Sequence, residues 1–118
     1  MKYFVDNEKK PSEIYSKFGK GEWVTIKNVI DFKEKLLDDI SDNKMPDTIS
    51  VKYTIEKEGD GVIILRYLIK MCIKLNLKMP KIYSHDIDRK YSILFENEMD
   101  IYTKKTDIPY YFEHIKQI

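Results

Sequence analysis

Short β-branched and aromatic runs alternate along this chain with stretches of helical periodicity. Lys2 to Val5 is a compact apolar run closed by Asp6-Asn7, so it reads as a buried strand opening into a loop. The stretch Glu8 to Gly21 is charged and contains Pro11, Gly19 and Gly21, which predicts mainly loop with one helical turn around Ile14. Trp23, Val24 and Ile26 suggest a second strand. Asn28 can cap the helix that follows, where Val29, Phe32, Leu36, Leu37 and Ile40 repeat as one apolar stripe. Thr48 to Ile55 alternates and is rich in β-branched and aromatic residues, so it is read as strand three. Asp60 is the expected cap of the strongest helix, about Gly61 to Leu75, whose apolar face is Val62, Leu65, Ile69 and Cys72 with Leu68 and Leu75 on its flank. Lys81 to Ser84 forms strand four. A further helix, about Asp88 to Tyr102, carries Tyr91, Leu94, Phe95 and Met99, and the pattern leaves the tail from Thr103 to Ile118 without an assignment.

Strand–helix alternation of this kind implies parallel strands with crossover helices packed on the sheet. The expected fold class is therefore α/β, a small three-layer flavodoxin-type parallel sheet of four or five strands with flanking helices, in one domain. Ligands meet such sheets at the carboxyl ends of the strands. Those ends are Asp6-Asn7, the stretch from Lys52 to Ile55, and His85-Asp86.

Composition narrows the function classes. Apolar residues are 42% of the 118, enough for a core without disulfides or a structural metal. With 21 basic against 20 acidic residues the net charge is +1, so no long-range field steers the chain onto nucleic acid or a membrane surface. The single cysteine, Cys72, lies in an apolar helical run and reads as a small buried hydrophobe. No stretch is long and apolar enough for a signal peptide or a membrane span, so a cytoplasmic location is expected. The abundance of Lys, Ile, Tyr and Asn, with few Gly and Pro, fits an AT-rich genome such as that of a bacteriophage or a low-GC bacterium.

The succession FVDNEKKP, WVTIKNVIDFKEKL, PDTISV, DGVIILRYLIKMCIKLNLKMP and IYSHD resembles the cyclic-phosphate-processing receiver-like domains over roughly residues 2–95. The resemblance implies a receiver fold and action on cyclic phosphate ends in RNA-repair and conflict systems. It places Asp6 at the family's first acidic position and Asn7, uncharged, at the second. Lys52, Tyr53 and Thr54 replace the acidic run of the third strand, and Asp60-Gly61 matches the helix-opening pair. His85 matches the fourth-strand histidine, and Asp86 stands in place of the serine. In ordinary receivers the third-strand aspartate takes a phosphoryl group and helps hold magnesium; here Lys52 or Tyr53 lies nearby. One Asp with one Asn is a poor site for a hard cation, so no cofactor or metal is expected.

Each signal also has a plainer reading. Asp6-Asn7 suits a turn, His85-Asp86 suits a helix start, and Lys52 or Tyr53 could be an ordinary strand residue. Tyr110, Tyr111 and Phe112 are expected to dock the tail. Lys9, Lys10, Lys17 and Lys20 offer either phosphate contacts or a solvated face. The reading favoured here is a catalytically degenerate binding or regulatory module, of a kind that phages and mobile elements carry. Its expected partner is a protein, a phosphorylated small ligand or an RNA end, bound through Asp6, Asn7, Lys52 and Tyr53. The alternative is a metal-independent phosphoesterase with His85 as acid–base catalyst, oriented by Asp86 or Asp6.

Overall fold

The computed structural model describes residues 1–14, 23–86 and 88–115. In chain order its elements are β1 (Lys2–Val5), α1 (Pro11–Ile14), β2 (Trp23–Ile26), α2 (Val29–Ser41), β3 (Thr48–Val51), α3 (Asp60–Leu75), β4 (Lys81–Ser84), α4 (Lys90–Thr106) and β5 (Phe112–His114). The five strands form one parallel sheet in the order β2-β1-β3-β4-β5. The β1-to-β2 connection runs toward one edge and the three later connections run toward the other. Right-handed crossovers therefore put α1 on one face and α2, α3 and α4 on the opposite face, which is the flavodoxin-type α/β arrangement.

Tyr3, Val5, Ile49, Val51 and Ile82 point into the core between the sheet and α2–α4. They meet Phe32 and Leu36 of α2, Ile64, Leu65, Leu68, Ile69 and Cys72 of α3, and Phe95, Met99 and Tyr102 of α4. Burial pushes the Cys72 thiol up to about 12, in keeping with a packing role. The core is further tied where the Tyr3 hydroxyl donates to Asp39 and where Arg66 of α3 donates through Nε and Nη2 to Oε1 of Glu98 on α4, at 3.0 and 2.8 Å.

Several sequence expectations change in three dimensions. Strand three ends at Val51, because the Lys52 amide still reaches Val5 but the chain then turns to return the Tyr53 carbonyl to the Gly61 amide. Asp60 is not the helix cap: Gly59 precedes the helix at φ +88°, and the Asp60 carboxylate accepts from the Glu56 and Lys57 amides of the preceding loop. Asn28 does cap α2, accepting from the Asp31 amide at 2.8 Å. Leu37, Leu75 and Leu94 are exposed, at the margins of stripes read too broadly. Helix α4 runs four residues past Tyr102, and the unassigned tail supplies β5. The expected turn at Ile14 is present as α1, whereas residues 15–22, expected as loop and including Lys17 and Lys20, lie outside the described residues.

Candidate functional site

Side chains alternate faces along a strand, and that alternation divides the residues at the carboxyl end of the sheet. Phe4 is in register with Ser50, and Ser50 with Tyr83, so Phe4, Asp6, Ser50 and His85 project from the face opposite α2–α4. There Asp6, His85 and Ser50 form one chain of hydrogen bonds. His85 Nε2 lies 3.0 Å from Asp6 Oδ2, and His85 Nδ1 lies 2.7 Å from Ser50 Oγ. The imidazole stacks on the Phe4 ring at 4.4 Å between centroids. Ser50 and His85 are 0% exposed and Asp6 is 1% exposed.

Asp6 is also bonded from behind, its Oδ1 accepting from the amides of Glu8 (2.8 Å) and Lys9 (3.3 Å). Burial acts to raise this carboxyl group, but the His85 bond and the two amides outweigh it and hold Asp6 below the ordinary carboxylate value. An ionised Asp6 accepts only, so Nε2–H of His85 donates to it, and in the neutral ring Nδ1 accepts from the Ser50 hydroxyl.

Asp86 does not orient His85. Its carboxylate turns to the other face, where it accepts from the Tyr53 amide at 3.0 and 3.2 Å and from the Ser84 hydroxyl at 3.0 Å. Burial raises the Asp86 carboxyl group despite those bonds. Tyr53 joins the packed side, stacking on Tyr91 at 4.4 Å and meeting Phe95 edge-on at 6.1 Å. Asp86 and Tyr53 thus pin the loop between β3 and α3 to the end of β4. Lys52 stays on the Asp6 side, 3.5 Å from Glu8, and Asn7 is exposed. Of the six residues singled out by sequence, Asp6 and His85 are in direct contact, and Lys52 is near them through Glu8.

Ser50 and Phe4 complete the cluster and were not anticipated. A small polar residue inside the buried run TISV was the available signal for Ser50, since a buried hydroxyl requires a partner. Beside the cluster, a cleft of about 640 Å³ opens at the ends of β1 and β2, with Asp6, Lys9, Lys10, Trp23, Thr25 and Lys27 among its lining residues. A magnesium site of the ordinary receiver kind does not fit here. Both Asp6 oxygens are committed, Asp86 faces away, and among the described residues no three His, Cys, Asp or Glu side chains converge.

Compared with known proteins, the chain matches no family model and no curated protein.

Proposed function

We propose that this chain is a receiver-like domain that works by binding, a catalytically degenerate relative of the cyclic-phosphate-processing receiver-like domains. The observation that carries the reading is the closure of the Asp6–His85–Ser50 chain. A general acid or base must reach a substrate atom within hydrogen-bond distance. Both ring nitrogens of His85 are instead engaged with buried protein groups. The same residue types make a Ser–His–Asp catalytic triad, but there the serine meets Nε2 and is open to substrate. Here the ring is reversed and Ser50 sits on an interior strand with no exposed surface.

Binding then falls to the adjoining cleft, where Lys9, Lys10 and Lys27 supply positive charge at the carboxyl ends of β1 and β2. That chemistry suits a phosphorylated small ligand or an RNA end. In this reading the protein acts in the cytoplasm as a regulator, in a phage or mobile-element conflict setting.

The test is a panel of 2′,3′-cyclic nucleotides and 3′-phosphorylated oligoribonucleotides, followed for both turnover and binding by calorimetry. No turnover is expected. Binding should weaken about tenfold in Lys10→Ala with Lys27→Ala, the loss of one charge-assisted contact or more, and should be unchanged in Lys70→Ala on the far side of the molecule. Hydrolysis that disappears in His85→Ala would replace this reading with the phosphoesterase one.

A further inference from the structure

Parallel sheets are ordinarily covered on both faces, because their crossover helices pack there. In this protein α2, α3 and α4 cover one face; the opposite face, where α1 lies, buries Phe4, Ser50 and His85 toward the carboxyl ends and carries residues of a different kind at the amino ends. The register sets Lys2 beside Trp23 and Thr48, and Thr48 beside Lys81, so these four side chains stand in a row across the amino ends of β2, β1, β3 and β4. Two residues further along, Tyr83 projects from the same face, with Glu113 of β5 as its neighbour. Between them lies a cavity of about 400 Å³, lined by Lys2, Trp23, Thr48, Lys81, Tyr83 and Glu113 together with Ile115. That volume is within the range of small-molecule sites, about 300–1,000 Å³.

We infer that this cavity is a binding site for a small planar aromatic monoanion, adjoining the lysine cleft at the carboxyl ends, with which it shares Trp23 as a wall. The floor is the sheet itself, with Thr48 buried, and the walls are the rings of Trp23 and Tyr83. Such a lining favours a flat ring over an aliphatic chain, since ring faces and edges pair in defined geometries. The charge comes from the two lysines. Each ammonium is held over a ring, Lys2 at 5.4 Å from Trp23 and Lys81 at 5.4 Å from Tyr111. Among the described residues neither lysine has a carboxylate within ion-pair distance. The nearby Asp47 is turned to the N-terminal ammonium, 3.1 Å away. At the β5 side Glu113 accepts from the Tyr111 hydroxyl at 2.7 Å and contributes one negative charge. Among the described lining residues two lysines against one glutamate leave a single positive charge, which matches one carboxylate or sulfonate and disfavours a dianion.

The experiment is a ¹H–¹⁵N NMR titration of the full chain with 2-naphthoate, beside cyclohexanecarboxylate, which lacks the ring, and 2-naphthylmethanol, which lacks the charge. Naphthoate should saturate and should shift the amide signals of Thr48, Tyr83 and Glu113, leaving those of Lys10 and Lys27 in place. The two control compounds should bind at least about tenfold more weakly, as should naphthoate to the Lys2→Ala, Lys81→Ala double variant, because each comparison removes one class of contact. Unchanged amide dispersion in the variant shows that its fold is intact. Failure of naphthoate to saturate, equal affinity for the neutral alcohol, undiminished affinity in the double variant, or shifts centred on Lys10 and Lys27 would each overturn the assignment. None of these outcomes bears on cyclic-phosphate turnover, and only shifts centred on Lys10 and Lys27 would bear on the lysine cleft's own ligand.

Discussion

Replacing His85 by Phe tests whether the buried Asp6–His85–Ser50 chain holds the fold or is kept at the fold's expense. Phenylalanine can occupy the same slot against Phe4, where the imidazole already lies nearly parallel at 13°, so the packing loss is small. Among the contacts that disappear are the 2.7 Å bond to Ser50 and the 3.0 Å bond to Asp6. A buried polar group left without its partner costs about 1–3 kcal/mol, and a carboxylate lies at the upper end. Asp6 keeps the Glu8 and Lys9 amides on its other oxygen, which limits its loss. The two terms together give about 2–6 kcal/mol, a large share of the roughly 5–15 kcal/mol that stabilises a domain. Urea unfolding at pH 7, followed by the fluorescence of the sole tryptophan, Trp23, measures the loss directly. Ser50→Ala combined with His85→Phe should be less destabilised than the sum of the two single changes, by about 1 kcal/mol, since the Ser50–His85 bond is then lost only once. A His85→Phe protein as stable as the wild type, or more so, would refute the reasoning. That result is the behaviour of a reactive group maintained against stability, and it would favour the enzymatic reading.

Three further outcomes are expected. Asp6 titrates below its ordinary value near 3.8 in the folded state, so its contribution is complete above that pH and is lost as pH falls through the depressed value. The stability gap between wild type and Asp6→Asn should therefore narrow between pH 6 and pH 2 in urea titrations, whereas the raised Asp86 acts with the opposite sign in both proteins; a gap independent of pH would contradict this. Gly61→Ala should destabilise by several kcal/mol, although alanine in a helix ordinarily gains about 1 kcal/mol over glycine, because a Cβ would sit 2.3 Å from the Lys52 carbonyl oxygen and 2.9 Å from the Phe95 ring; a raised melting temperature would show that α3 does not approach the β3 loop this closely. Leu65→Ala and Ile69→Ala should each cost about 2–5 kcal/mol, while Leu75→Ala, at 43% exposure, should stay within about 0.5 kcal/mol; equal losses at all three would mean that the face of α3 is misassigned.

Much of the architecture was already written in local patterns. The β-rich runs at Lys2–Val5, within Thr48–Ile55 and at Lys81–Ser84 alternate with helical stripes, and that order calls for an α/β parallel sheet, because each crossover helix returns the next strand in the same direction. Asn28, Leu65 and Ile69 follow from the same short-range rules and stand where those rules put them. The margins of the stripes did not follow. Leu37, Leu75 and Leu94 are apolar at helical spacing, yet only the neighbouring layer decides how wide a face it covers. The tail resisted for a related reason: Phe112–His114 is a three-residue edge strand, and it is stabilised by pairing with β4, more than 25 residues away, rather than by its own periodicity.

The site divides in the same way. Strand ends mark where polar residues gather, and that much selected Asp6 and His85 from the sequence alone. Which polar residues meet depends on facing, a property of register across strands that are distant in sequence. One step along β4 separates His85 from Asp86, and that step sends His85 to Asp6 and Asp86 to the Tyr53 amide on the opposite side of the sheet. The tertiary structure alone decided that Ser50 would close the chain, and that Lys2, Trp23, Thr48 and Lys81 would stand in one row. No local pattern links residues brought together by three parallel ladders, because each ladder is set by the packing of the helices that cross between its strands.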